Sequence, residues 1–169
     1  MIKWLRDTKS GMWVMTVLRL YIGFEWLMDG FEKLTKGFDA KGFVMGAIKN
    51  PVMAPTGQPA YGWYGSFLKS FVLPHISFFN FCVSWGELLV GLGLFFGTLT
   101  TAAAFFGMLM NFAYVLAGTV SVNPTFIIIE FLILAAGYNA GKIGLDRWVV
   151  PFLREKMPFL QRSVTQSTK

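Results

Sequence analysis

Cysteine and histidine are almost missing from this chain. Cys82 and His75 are the only copies among 169 residues. One of each permits no intrachain disulfide, no Cys-x-x-Cys redox pair and no Cys/His zinc site. A bis-histidine haem within the chain is excluded for the same reason, so neither haem nor metal is expected. Cys82 reads as a small buried apolar residue. His75 follows Pro74 at the mouth of an apolar run, where it suits interfacial hydrogen bonding or proton exchange. Charge is scarce too. Only 14% of the residues are charged, against about 25% in soluble domains.

Apolar residues take that place. They make up 54% of the chain, with 17% aromatic and Phe in 18 copies. They are grouped in long runs, which indicates one integral membrane domain. The net charge of +6 does not point to nucleic acid. Its basic residues mostly flank apolar runs, where they act as topology signals.

Four spans are expected, at about 12–28, 75–97, 101–120 and 125–141. Each is near the ~20 residues that a ~30 Å hydrocarbon core requires. The predicted fold is all-α, a four-transmembrane-helix antiparallel bundle. Met1 to Ser10 begins like a signal peptide, but Arg19 interrupts the apolar core and no small-residue cleavage site comes after it, so the first span is read as uncleaved. The connection 29–73 is rich in Gly and Pro yet carries many aromatics. It reads as a structured extracytoplasmic cap, with short helices over 40–49 and 61–71 around a Pro-rich turn at 50–59. Residues 144–162 suggest an amphipathic segment along the membrane surface, and Ser163 to Lys169 a polar tail. Small residues recur four apart, as in Gly93/Gly97 and Ala103/Gly107. This suits packing inside one bundle or a homo-oligomer.

Basic residues set the orientation. Lys3, Arg6, Lys9, Lys142, Arg147, Arg154, Lys156, Arg162 and Lys169 lie at the two ends, whereas Lys33, Lys36, Lys41, Lys49 and Lys69 lie in the long connection. The excess at the ends puts both termini in the cytoplasm and the protein in the cytoplasmic membrane.

The apolar runs are broken by ionisable and amide residues. The first span carries Arg19, Glu25 and Asp29; Glu87, Asn111 and Glu130 interrupt the later ones. A bare charge at the bilayer centre costs about 2.5–3.5 kcal/mol on insertion scales, so such groups must meet partners. Helix rise places Arg19 roughly 10 Å, and Glu87 and Asn111 roughly 15 Å, above the inner ends of their spans. Glu25 and Glu130 come out roughly 18–20 Å up. These depths make two tiers, and an Arg19–Glu87 ion pair is expected at the centre. Arg19, Glu25, Glu87 and Glu130 are the catalytic candidates, as proton carriers or, for Arg19, as an orienting cation. A structural ion pair with hydrogen-bonded carboxylic acids accounts for the same residues.

Several of these positions fall in motifs. Arg19-x3-Gly23-x2-Trp26-x3-Gly30-x2-Lys33, the segment Trp85 to Leu94, the run Asn111 to Thr119 and the closing Gly144-Leu145-Asp146-Arg147-Trp148 resemble the DoxX family of small four-helix membrane proteins. Phe38-Asp39-Ala40-Lys41-Gly42-Phe43 is most similar to the DoxD branch, the membrane subunit of thiosulfate:quinone oxidoreductase. The resemblance implies thiosulfate or a related sulfur compound as donor and membrane quinone as acceptor. It also implies a second oxidoreductase subunit of DoxA type, because the chain has no flavin or haem motif. Under it, Trp26, Lys33, Trp63, Trp85 and Asn111 become substrate-binding candidates: the tryptophans as a quinone pocket or as simple aromatic packing, and Lys33, with Lys36 and Lys41, as anion attractors or solvated charges. The alternative is a non-catalytic membrane scaffold for an oxidoreductase complex that handles thiol or oxidative stress. A solute transporter is disfavoured, since no internal repeat or broken helix pair is visible.

Overall fold

The structure is a computed structural model in which residues 1–157 are described. They are helical, with no strand beyond one isolated bridge between Met53 and Pro59. A short α1 (Ile2–Asp7) precedes α2 (Lys9–Lys36). Thr8 separates them, and its side-chain oxygen accepts the Gly11 amide at 3.0 Å, satisfying a first-turn donor of α2. At 28 residues, α2 is far longer than the span expected at 12–28. It continues through Asp29, Glu32 and Lys33 and stops at Gly37, whose φ of 82° suits glycine.

The connection is folded. α3 (Lys41–Lys49) packs against the helical stretch beyond the Pro-rich turn. Ala40, Val44, Leu68 and Val72 form a small buried cluster there. α4 (Gly62–Phe67) does not end where a separate interfacial helix was expected. It passes through a π turn at Leu68–Val72 and a 3-10 turn at Leu73–His75 into α5 (Ile76–Phe96). Pro74 therefore lies within a continuous helix, Gly62–Phe96. Proline lacks an amide donor, and the wide turn before it takes up the mismatch.

The chain then forms α6 (Thr100–Leu116) and α7 (Asn123–Ala136), with Pro124 in the first turn of α7. Gly137, at φ 59°, breaks the fourth run earlier than 141, before a single turn, α8 (Tyr138–Gly141). α9 (Asp146–Lys156) comes last; the expected amphipathic segment ran on to 162, and its last residues and the polar tail lie outside the described residues.

α2 packs most extensively on α5, α6 on α7, α5 on α6 and α2 on α7. The α2–α5 contact is antiparallel and very close. A Cβ on Gly23 would meet Leu94 and Phe95, one on Gly30 would meet Leu88, and one on Gly91 would meet Leu27. Met15, Ile22, Trp26, Leu94, Ala104 and Ile133 form the core. The Gly93 backbone faces Ala103 of α6, within the chain.

Large apolar side chains point outwards. Phe78, Phe81, Leu89, Phe106, Leu109, Ile128 and Phe131 are all exposed. Cys82 joins this outer surface and is not buried as expected. Such a contiguous apolar surface is not one that a soluble monomer shows to water. Among the described residues, one helix, Gly62–Phe96, is long and apolar enough to cross a membrane by length and composition; α6 and α7 are shorter apolar helices. α2 has the length, but its charged residues dilute its hydropathy.

Candidate functional site

Most of the buried ionisable groups fall in two clusters at different levels. The first is a knot at the α5–α6 turn. Arg19 on α2 is 2% exposed, and its guanidinium donates to the Leu94 and Phe95 carbonyls and to Ile143 O at 2.8 Å. Leu94 and Phe95 belong to the last turn of α5, whose carbonyls lack intrahelical partners and carry the negative end of the helix dipole. Arg19 is thus a cap for α5 supplied by another helix. Gly97, at φ 65°, leaves room for the guanidinium; a Cβ there would overlap it. Asp146 completes the knot from the other side. Its carboxylate accepts the Leu99 amide at 2.7 Å and the Thr100 amide at 3.0 Å, the free donors that open α6. Arg6 serves α7 in a similar manner, donating to Ala135 O at 2.7 Å.

The expected Arg19–Glu87 ion pair is therefore not formed. Glu87 lies seven residues before Leu94, roughly 10 Å along the α5 axis. Its cation is Lys33, at 2.5 Å, fourteen residues beyond Arg19 on α2. Lys33 reaches it because α2 does not stop at residue 28.

The second cluster surrounds these groups. Glu87 Oε1 accepts the Tyr114 hydroxyl at 2.9 Å, opposite Lys33 on Oε2. Glu130 on α7 is fully buried. It accepts the Trp26 indole N–H at 3.0 Å on one oxygen and the Asn111 amide at 2.8 Å on the other. Gly107 makes room for that carboxylate, since a Cβ at 107 would fall on Glu130. Beside Glu87, and joined to Glu130 through Trp26 and Asn111, lies a small chamber of about 40 Å³, lined by Trp26, Asp29, Glu87, Asn111, Tyr114, Val122, Asn123 and Phe126. That is room for ordered water among polar groups. Asp29 also lines an open pocket of about 310 Å³ with Glu32, Lys33 and Lys36, so the chamber and the helix-end pocket share one carboxylate.

Both glutamates accept two hydrogen bonds, but their partners differ. Glu87 faces a cation. Glu130 faces only neutral donors, so it can take up or release a proton without breaking an ion pair. The cluster draws on α2, α5, α6 and α7, and its bonds are between side chains.

Of the sequence candidates, the structure gathers Trp26, Lys33, Glu87, Asn111 and Glu130. Asn111 belongs with Glu130, not with Arg19. Glu25 is half-buried and makes no hydrogen bond or ion pair among the described residues. Trp63 and Trp85 are 66% and 43% exposed and neither lines the chamber that Trp26 lines, so the three tryptophans do not form one pocket. Tyr114, Asp29 and Asn123 were not among the candidates. Tyr114 lies three residues after Asn111, on the same helix face, and that spacing was the available signal.

A protein-family model, DoxX, matches residues 14–120. The chain belongs to the DoxX family. No curated protein and no solved structure matches it. The matched stretch runs from α2 through α6 and so includes Arg19, Trp26, Lys33, Glu87, Asn111 and Tyr114; Glu130 and Asp146 lie beyond it. DoxX membership makes this a membrane-associated protein, in keeping with its outward phenylalanines and the apolar Gly62–Phe96 helix.

Proposed function

We propose that the chain is the membrane subunit of a quinone-linked oxidoreductase, and that the Glu87–Glu130 cluster and its chamber exchange the protons that accompany quinone reduction. One observation carries this reading: buried Glu87 lines a small polar chamber, buried Glu130 is hydrogen-bonded to two other residues of its lining, Trp26 and Asn111, and Asp29 links the chamber to an open pocket. Quinone reduction to quinol takes two electrons and two protons, so a site beside the membrane acceptor needs a proton source. Glu130 fits as the group that turns over a proton, with Trp26 and Asn111 holding its carboxyl in place. Lys33 pairs with Glu87, and Tyr114, which donates to Glu87, also lines the cavity.

The chamber is too small for a quinone ring. A groove between α5 and α6 has about 780 Å³ and an almost wholly apolar lining that includes Gly86, Leu89, Val90, Phe106 and Met110, within the range of small-molecule sites. Gly86 and Met110 adjoin Glu87 and Asn111 in sequence, which brings the groove alongside the chamber. Quinone held there would supply the electron acceptor.

The finer reading is of DoxD type. Four antiparallel spans (α2, α5, α6 and α7) sit in the cytoplasmic membrane with both termini in the cytoplasm and the α3–α4 segment outside. Thiosulfate or a related sulfur anion is the donor, a second subunit delivers its electrons, and the chain binds no haem, flavin or metal of its own. Anaerobic addition of thiosulfate and a soluble quinone analogue to the purified protein, followed by quinone absorbance, tests this. Turnover, alone or with a co-purifying subunit, that disappears in Glu130→Gln supports the proposal. Turnover that needs the second subunit and survives Glu130→Gln makes the chain a scaffold. No quinone reduction in either preparation overturns the reading.

A further inference from the structure

The last helix, α9, is amphipathic and has little to cover it. It packs mainly against the single turn α8. Leu145, Trp148 and Phe152 are 43%, 62% and 58% exposed. Their spacing of three and four puts them on one stripe of the helix. Around them Lys142, Arg147, Arg154 and Lys156 are exposed, against one exposed acid, Glu155. Asp146 is 2% exposed and committed to α6, so it does not offset this charge. The Arg147 guanidinium carbon lies 4.9 Å from the Trp148 ring centre, and that of Arg154 lies 6.0 Å from the Tyr138 ring. Trp and Tyr settle at the level of lipid headgroups. Arginines resting on these rings are held at phosphate depth.

We propose that α9 is an in-plane membrane helix that binds anionic phospholipid headgroups through Arg147, Arg154, Lys142 and Lys156 while Leu145, Trp148 and Phe152 enter the acyl boundary. An apolar stripe alone would suit any lipid; the one-sided excess of basic residues selects an anionic surface. The contact also has a mechanical link to the rest of the fold. Leu145 N donates to Phe96 O at 3.1 Å and Asp146 N to Gly97 O at 2.7 Å, beside the Arg19–Ile143 bond. Lipid bound on α9 therefore holds the turn that joins α5 to α6. This assignment rests on no part of the quinone chemistry.

The test uses the full chain with Cys82→Ser and Phe152→Cys, spin-labelled at residue 152, in nanodiscs of phosphatidylcholine with and without phosphatidylglycerol. Relative accessibility to oxygen and to a water-soluble nickel chelate reports depth. The label should move into the membrane when the anionic lipid is present. Changing Arg147, Arg154 and Lys156 together to Gln should abolish that response, at roughly fivefold in inserted population per basic residue lost. Replacing both arginines by Lys should retain it. A label that stays in water in both nanodiscs, or one equally deep in both, overturns the proposal. So does burial of the label that appears only when a protein fraction is added.

Discussion

Arg19 and Glu130 are both buried ionisable groups on neighbouring helices, yet they are held in opposite ways. Arg19 donates hydrogen bonds to backbone carbonyls at the end of α5 and at Ile143. Glu130 takes its hydrogen bonds from two side chains, Trp26 and Asn111. A backbone carbonyl cannot rearrange without moving its helix. A side-chain amide or indole can turn, and the carboxyl between them can change protonation in place. The same type of residue, an ionisable group in an apolar bundle, thus acts as a fastening at one level and as a working group at another. The partners distinguish the two roles.

The contrast makes graded predictions. The largest effect belongs to the knot. Arg19→Met leaves one buried and two partly buried carbonyls without their donor, and at about 1.5–3 kcal/mol for a hydrogen bond to a charged group the loss should exceed 3 kcal/mol. Thermal unfolding in detergent checks this. Adding Glu87→Gln should not recover the loss, because the two residues do not meet; recovery in the double variant would restore the Arg19–Glu87 pair and collapse the distinction between the clusters.

Gly30→Ala should come next. The added Cβ meets the Leu88 backbone, which cannot yield as a side chain would, and overpacking of this kind costs about 1–3 kcal/mol. A Tm unchanged in Gly30→Ala would show that α2 and α5 are not so closely apposed.

Glu130→Gln should have a smaller effect on stability, about 1 kcal/mol, since it keeps the shape and the Trp26 bond, and the Asn111 amide can turn to present its oxygen to the new NH2 group. Its effect on quinone-linked turnover should be near complete. A large stability loss with turnover retained would make Glu130 another fastening.

The smallest effect lies outside the bundle, at Asp39. The Lys41 amide at 3.0 Å and the Asn80 amide at 3.1 Å both donate to its carboxylate, and hold its pKa below the ordinary carboxylate value. Asn80 in turn accepts the Ala40 amide at 2.9 Å, which ties the start of α3 to α5. Because the folded pKa is depressed, this contribution is in place at neutral pH and is lost as pH falls through the folded value, on the acid side of the ordinary carboxylate range. Protection factors for hydrogen exchange over 38–50, taken relative to the intrinsic rate at each pH, should fall there, and Asp39→Asn should remove that pH response. Protection independent of pH in the unaltered chain would refute it.

The two clusters also differ in how far the sequence discloses them. Charges and amides interrupting apolar runs announce a buried polar cluster, and that rule picks out Glu87, Asn111 and Glu130; Trp26 and Lys33 enter only with the family resemblance. Their pairing is not legible. Depth counted from the first apolar residue of each run goes astray because α2 begins at Lys9 and continues to Lys36, which shifts Arg19 to the α5 end and brings Lys33 down to Glu87. Pairing also depends on helix rotation, which no run of residues states. Asp146 shows a different limit: an acid after a Gly-rich turn looks like the first-turn acid of its own helix, whereas it caps a helix 46 residues away in sequence. The cap segment is the most legible part, because 40–49 has the periodicity of α3. Pro74 reads as a boundary and is not one.

The π turn at Leu68–Val72 has one more consequence. A π turn carries one residue more than an α turn, and one residue is about 100° of helical phase. It therefore acts as a phase shifter between two parts of one long rod. Below it, α5 presents Glu87 to the chamber and its phenylalanines outwards. Above it, α4 presents Tyr64 to α6, where the hydroxyl donates to Ala113 O at 3.0 Å, next to Tyr114. Remove a single residue from that turn and the upper rod swings by about a quarter of a revolution, carrying Tyr64 away from α6 while the chamber stays as it is. The orientation of the cap over the chamber is thus set by a count of residues, and α2, α6 and α7 need not change to alter it.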